Sequence, residues 1–222
     1  MTIEQMANDG LQVVEFLLSR LQVRKIILVA HSWGTVLAVR MVRAKPELFS
    51  AYVGVAQVTN TRRNGALRYH KLFARMQAQG NVEAVRRLEQ IGAPPCGSDK
   101  LKWATFQQLT DLIPGDEIAP KLPRPLPPEI RPMDREIIGR GMMFSRQQIM
   151  SNGEFEHVDL PALGLKFEVP IFFFLGTHDQ ITPIELAEEY FSLLDAPHKE
   201  FVRFDGDGYF FCKRYAVTVP NR

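Results

Sequence analysis

KIILVAHSWGTVLAVRMVRAKPELF, residues 25–49, decides the fold. Its first part, Ile26–Val29, is a short continuous apolar run, the form a strand takes when helices cover both its faces. From Trp33 to Ala44 the chain reads as a helix. That helix must stop before Lys45-Pro46, because proline disfavours helix at the preceding residue. Between strand and helix stands a polar serine, Ser32, with Gly34 two positions on. Upstream, Ile3, Ala7, Leu11, Val14, Leu18 and Leu21 recur at three- and four-residue spacing, which predicts an amphipathic helix over 3–21. Downstream, Tyr52–Ala56 is a second strand candidate. Strand, helix, strand in this order is a parallel α/β unit.

The middle of the chain has another character. Residues 60–165 carry helical pattern and charge with few strand signals, helices being expected over Leu67–Met76, Val82–Ile91 and Asp134–Met150. The stretch IPGDEIAPKLPRPLPPEIRP, Ile113–Pro132, is too proline-rich for a central strand or a regular helix. The expected organisation is therefore a first α/β part over 1–59, an inserted helical region over 60–165 with an extended connector, and a closing α/β part over 166–222. In that last part Pro170–Leu175 is a strongly apolar strand, and GTHDQ forms the turn after it. Thr182 reads as an N-cap, Pro183 as the first helical residue and Glu185 as the partner that closes a capping box. Leu186–Leu194 continues that helix, and Glu200–Phe204 is the final strand.

Bulk composition narrows the function classes. The chain has 222 residues, 45% of them hydrophobic, enough for a sizeable core and too apolar for a disordered chain. A net charge of +2 argues against an electrostatic nucleic-acid binder. Cys96 and Cys212 lie far apart with no CxxC or Cys/His clustering, so neither a zinc site nor a disulfide framework is expected. The first residues, MTIEQMANDG, lack the features of a signal peptide, and no apolar run is long enough to span a bilayer. A reducing, cytoplasmic setting is the expectation.

The chemistry is concentrated at Ala30-His31-Ser32-Trp33-Gly34. A strand–turn–helix with G-x-S-x-G is the nucleophile-elbow pattern, in which small residues flank a serine because the turn is strained and crowded. Ala30 stands at the first small position and Gly34 at the second. Such a turn places Ser32 at a helix N-terminus, which favours developing negative charge, and the Trp33 N–H becomes an oxyanion donor. The alternative is that Ser32 simply N-caps the helix. Asp179 lies in the loop after an apolar strand, at the sheet edge where open α/β folds do their chemistry. It is the candidate acid, unless it is an ordinary turn aspartate.

Taken together, these segments resemble the α/β-hydrolase superfamily, and within it the capped, prolyl-iminopeptidase-like serine peptidases. AHSWGT matches the elbow. GVAQV and RRLEQIGAPP resemble the start of that group's cap, while PIFFFLGTHDQITPIELAEEYF and APHKEFVRFDGDG resemble its acid strand, following helix and last strand. The resemblance implies a partial α/β-hydrolase fold, a mostly parallel sheet flanked by helices with an inserted helical cap. It also implies a serine hydrolase that removes N-terminal residues from short peptides, or cleaves small amides or esters, with no metal or organic cofactor. Its partner is then a small-molecule or short-peptide substrate, with no nucleic acid and no membrane. Acyl transfer to an alcohol would use the same residues.

Two departures from the family pattern stand out. A histidine base is required after the last strand, and FDGDGYFF places Tyr209 there. A phenol with a pKa near 10 is a poor base at neutral pH; otherwise Tyr209 simply fills the pocket. None of the five histidines fits. His198 precedes the final strand, His31 adjoins the serine, His70 and His157 lie in the insert, and His178 directly precedes the acid. The other departure is at the beginning, since the family's strands before the first helix, with a His-Gly oxyanion loop, are absent from this sequence. An N-terminally truncated member, with an exposed sheet edge, is the expectation. CKRYAVTVPNR, at the other end, favours extended chain over a closing helix. The alternative function is accordingly an impaired remnant or binding module. Candidate substrate contacts are Trp33 and Phe144 for an apolar pocket and Glu83 or Glu89 for an ammonium group. The basic residues Arg62, Arg63, Arg68, Lys71, Arg75, Arg86 and Arg87 read as a solvated helical face or a carboxylate-binding patch.

Overall fold

The computed structural model describes residues 1–93, 99–110 and 132–209. Helix α1 (Ile3–Leu21) opens the chain and buries the stripe Ile3, Ala7, Leu11 and Val14. Thr2 caps it, its hydroxyl accepting from the Gln5 N–H at 3.1 Å. Strand β1 (Ile26–His31), helix α2 (Trp33–Ala44) and strand β2 (Phe49–Val55) follow. Four helices come next: α3 (Thr61–Ala78), α4 (Val82–Ile91), α5 (Lys100–Thr110) and α6 (Pro132–Ser151). Strand β3 (Ile171–Gly176), helix α7 (Ile184–Leu193) and strand β4 (Lys199–Phe204) complete the described chain.

Among the described residues the sheet has the order β1-β2-β3-β4, and every pair is parallel. The register aligns His31 with Val55, Val55 with Phe174, and Gly176 with Phe204. Every strand therefore ends at one edge, and the turns after β1, β3 and β4 lie along it. One face of the sheet packs on α1, α2 and α7 through Tyr52, Ile171, Phe173, Val39 and Tyr190. On the other face of β1, Ile27 and Val29 are 60% and 63% exposed.

The helices between β2 and β3 have their own apolar cluster, built on Tyr69, Leu72, Met76, Leu88, Phe106 and Leu109. Helix α5 carries two of these residues, and the sequence reading contains no helix there. Its apolar residues are spaced too irregularly to stand out until α3 and α4 supply the partners. Ile113–Arg131, both cysteines and the C-terminal CKRYAVTVPNR lie outside the described residues.

The predicted capping box at α7 does not form. Pro183 occupies the cap position without a side-chain bond. The Thr182 hydroxyl turns back to Asp179 Oδ2 at 2.6 Å, and Glu185 pairs with Lys71 at 2.5 Å. A buried carboxylate three residues upstream outcompetes the local box, because a hydrogen bond to a charged acceptor is the stronger one.

Candidate active site

Ser32 sits at φ 53, ψ −122, a backbone region that non-glycine residues rarely occupy. Two further bonds fix it there. Its N–H donates to the Val55 carbonyl at 2.9 Å, and its carbonyl accepts from the Thr35 N–H at 2.8 Å. The serine side chain makes no capping hydrogen bond to α2, so the simple N-cap alternative does not describe it. Thr35, fully buried, donates its hydroxyl to the Ser32 carbonyl at 2.6 Å and accepts from the Val58 N–H at 3.1 Å. It thereby fastens the serine turn to the exit of β2. A Cβ on Gly34 would meet the Ala30 Cβ at 3.8 Å, so the two small positions face each other, and side chains larger than alanine would press them apart. Trp33 opens α2, where the first amides have no intrahelical acceptor and point at whatever lies over the helix end.

Asp179 is 1% exposed. Its Oδ1 accepts from the Ile181 N–H at 2.8 Å and the Thr182 N–H at 2.7 Å, and Oδ2 takes the Thr182 hydroxyl. Asp179 is thus both an edge residue in the turn after β3 and the organiser of that turn.

Tyr209, at the expected base position, is half-buried, and its ring lies 4.8 Å from the His31 ring at 54°. That places it over the end of β1, beside Ser32 in sequence. The segment leading to it runs close to β3. A Cβ on Gly176 would collide with the Asp207 and Gly208 carbonyls, so only glycine lets the strands' exits meet here. The His178 N–H donates to the Asp207 carbonyl at 2.9 Å, joining the acid turn to the same segment. The remaining histidines are spread out. His178 is exposed, His198 packs on Phe172 at the opposite end of the strand, His70 lies on Tyr69, and His157 contacts Arg62 at 2.8 Å.

The other sequence candidates separate. The Trp33 ring packs 5.5 Å from Phe155, while Phe144 is 59% exposed on α6. Glu83 pairs with Arg86 on the surface of α4 at 2.9 Å. A solvated face describes only part of the basic set. Arg68 is 8% exposed, its Nε donates to the Gln180 carbonyl at 2.9 Å, and its guanidinium lies 5.3 Å over the Phe106 ring. Arg63 forms two bonds to Glu189, each 2.7 Å. Sequence reasoning missed Thr35, Asn64 and the buried pair Tyr52–Gln57, in which the phenol donates to Gln57 Oε1 at 2.6 Å. Burial pushes that phenol well above its ordinary pKa. The one usable signal was Gly54, since a Cβ there would run into Gln57 and the Tyr52 hydroxyl.

Among the described residues no group of three or more His, Cys, Asp or Glu side chains is placed to hold a metal ion. Among them, too, no helix is long and apolar enough to cross a membrane.

A parallel sheet with a strained serine after one strand and a buried aspartate after another is the arrangement of a hydrolase-type α/β protein. The sequence pattern of the alpha/beta hydrolase fold family matches residues 8–212, and the chain belongs to that family. It is 25% identical over 216 residues to a Bacillus subtilis (strain 168) protein named as a probable aminopeptidase, YbaC; the match covers 94% of this chain and 67% of that one. Solved structures agree on the fold. VinJ superposes with a TM-score of 0.57 at 13% identity, over 93% of this chain and 68% of its own. A thermophilic esterase from Thermogutta terrifontis gives 0.51 at 15% identity, over 98% and 70%.

Proposed function

We propose that this chain is a serine hydrolase that cleaves an N-terminal residue from short peptides, or a small amide or ester. Ser32 is the nucleophile, the Trp33 N–H an oxyanion donor, Asp179 the orienting acid, and the helices between β2 and β3 the cap. The observation that carries this reading is the Ser32 backbone. A serine held at φ 53, ψ −122 makes no side-chain cap to its helix, and backbone strain of this kind clusters at functional sites. The similarity to a protein named as an aminopeptidase supports the peptide substrate class.

In this scheme the serine oxygen adds to the acyl carbon as the carbonyl π pair moves onto its oxygen, and the serine proton passes to a base. The base returns it to the amine or alcohol that leaves as the carbonyl re-forms. In this reading the base position of the family pattern falls on Tyr209, whose ring packs on His31. Because the phenol accepts a proton poorly at neutral pH, general-base assistance worth roughly 10²–10⁴-fold is at stake. The placement of Tyr209 against His31 favours a second reading, a substrate-binding protein of the same fold with little turnover.

Labelling by a fluorophosphonate probe, native against heat-denatured, separates the two. Labelling of native protein alone, lost in Ser32→Ala, is the expected result for the hydrolase. Labelling that appears only in Tyr209→His would mean a folded but disarmed hydrolase, the low-turnover reading. No labelling of either protein would overturn Ser32 as a nucleophile.

A further inference from the structure

We propose that Asn64 and Arg68 of α3 are positioning residues for the Asp179 carboxylate, so that the helical region between β2 and β3 sets the geometry of the acid turn. The inference rests on the reading of Asp179 as the orienting acid. It is carried by two successive peptide units. The unit joining Gln180 to Ile181 gives its N–H to Asp179 Oδ1 at 2.8 Å, and its carbonyl accepts from Arg68 Nε at 2.9 Å. The unit joining Ile181 to Thr182 gives its N–H to the same oxygen at 2.7 Å, and its carbonyl accepts from Asn64 Nδ2 at 3.1 Å. Each peptide plane is therefore held at both ends, by the carboxylate on one side and by α3 on the other.

A peptide plane is rigid, so a turn of the carboxylate that keeps both amide bonds must pull the carbonyls away from α3. The surface pairs Arg63–Glu189 and Lys71–Glu185 link α3 to α7 through their side chains. Asn64 and Arg68 address backbone carbonyls instead, which fixes orientation. Arg68 extends the link further, because its guanidinium also lies over Phe106 in the separate apolar cluster of the helices.

Residue-resolved amide exchange on the full chain tests this. Arg68→Met is expected to speed exchange at Ile181, and Asn64→Ala at Thr182. Each change should be about tenfold, the factor for losing one hydrogen bond of ordinary net strength. The β3 amides should stay unchanged, and Arg68→Lys should restore the Ile181 protection. Unchanged exchange at both amides would overturn the clamp, as would acceleration shared equally by β3. Should Arg68→Met fail to fold, Asn64→Ala decides alone. The fluorophosphonate labelling rate is read on the same variants. A fall in Arg68→Met, recovered in Arg68→Lys, is expected. Faster exchange with unchanged labelling would overturn the positioning role. If the wild-type chain does not label, the hydrolase reading fails, and the exchange result still decides the clamp.

Discussion

The Ser32 turn and the Asp179 turn lie at the same sheet edge and are built by opposite means. Ser32 is held by its own backbone in a costly conformation, with Thr35 and Val55 as braces. Asp179 is held by its side chain, which satisfies two amides and a hydroxyl in its own turn. The serine turn stores strain and leaves the side chain available. The acid turn spends the side chain on structure. Relieving the Ser32 backbone and truncating the Asp179 side chain should therefore move stability in opposite directions, and that asymmetry can be tested.

The largest effect is expected at Asp179. Asp179→Ala leaves two backbone donors and the Thr182 hydroxyl without their acceptor inside a buried turn. At about 1–3 kcal/mol for each buried unsatisfied group, with some relaxation toward water, the loss should be about 3 kcal/mol in urea unfolding. Asp179→Asn retains an acceptor oxygen and should lose less than half as much. An alanine variant within 0.5 kcal/mol of wild type, an ordinary surface-level change, would mean that the turn is held by its neighbours.

At Ser32 the sign reverses. A strained non-glycine backbone costs about 1–3 kcal/mol, and glycine removes that strain while adding roughly 0.5–1 kcal/mol of unfolded-state entropy. Ser32→Gly should therefore be about 1 kcal/mol more stable than wild type, whereas Ser32→Ala keeps the Cβ and should change little. Thermal unfolding of the two variants side by side measures this. Equal midpoints for Gly and Ala would show that the turn carries no strain.

Local signals made most of the fold legible. The stripe of α1, the proline after α2 and the apolar run of β3 each state their element within a few residues, and the serine turn is legible because its strain demands small flanking residues. What escaped depends on competing or distant partners. Thr182 and Glu185 spell a capping box, but the buried Asp179 three residues upstream takes Thr182, and the fold brings in Lys71 to take Glu185. Likewise Arg68 reads as one of several surface charges until α5 and the acid turn close over it. Glu83, a candidate ammonium contact, pairs with Arg86, a partner that is local and exposed.

The smallest expected effect concerns how α3 is fastened beside the acid turn. The Arg63 guanidinium hydrogen-bonds Glu189 and holds its carboxyl below the ordinary carboxylate value of 4.5. A carboxylate whose folded pKa lies below its unfolded one adds stability above the unfolded value. That contribution fades as pH falls through the folded value. The pair is half-exposed, so the effect is slight and weakened by salt. Glu189→Gln should lower the urea midpoint at neutral pH and low salt, and the deficit should vanish once the pH is well below the carboxylate range. A deficit that persists in acid would mean that Glu189 acts through packing and not charge. The pairing with Arg63 would then contribute nothing to seating α3, leaving Asn64 and Arg68 as the contacts that set the acid turn.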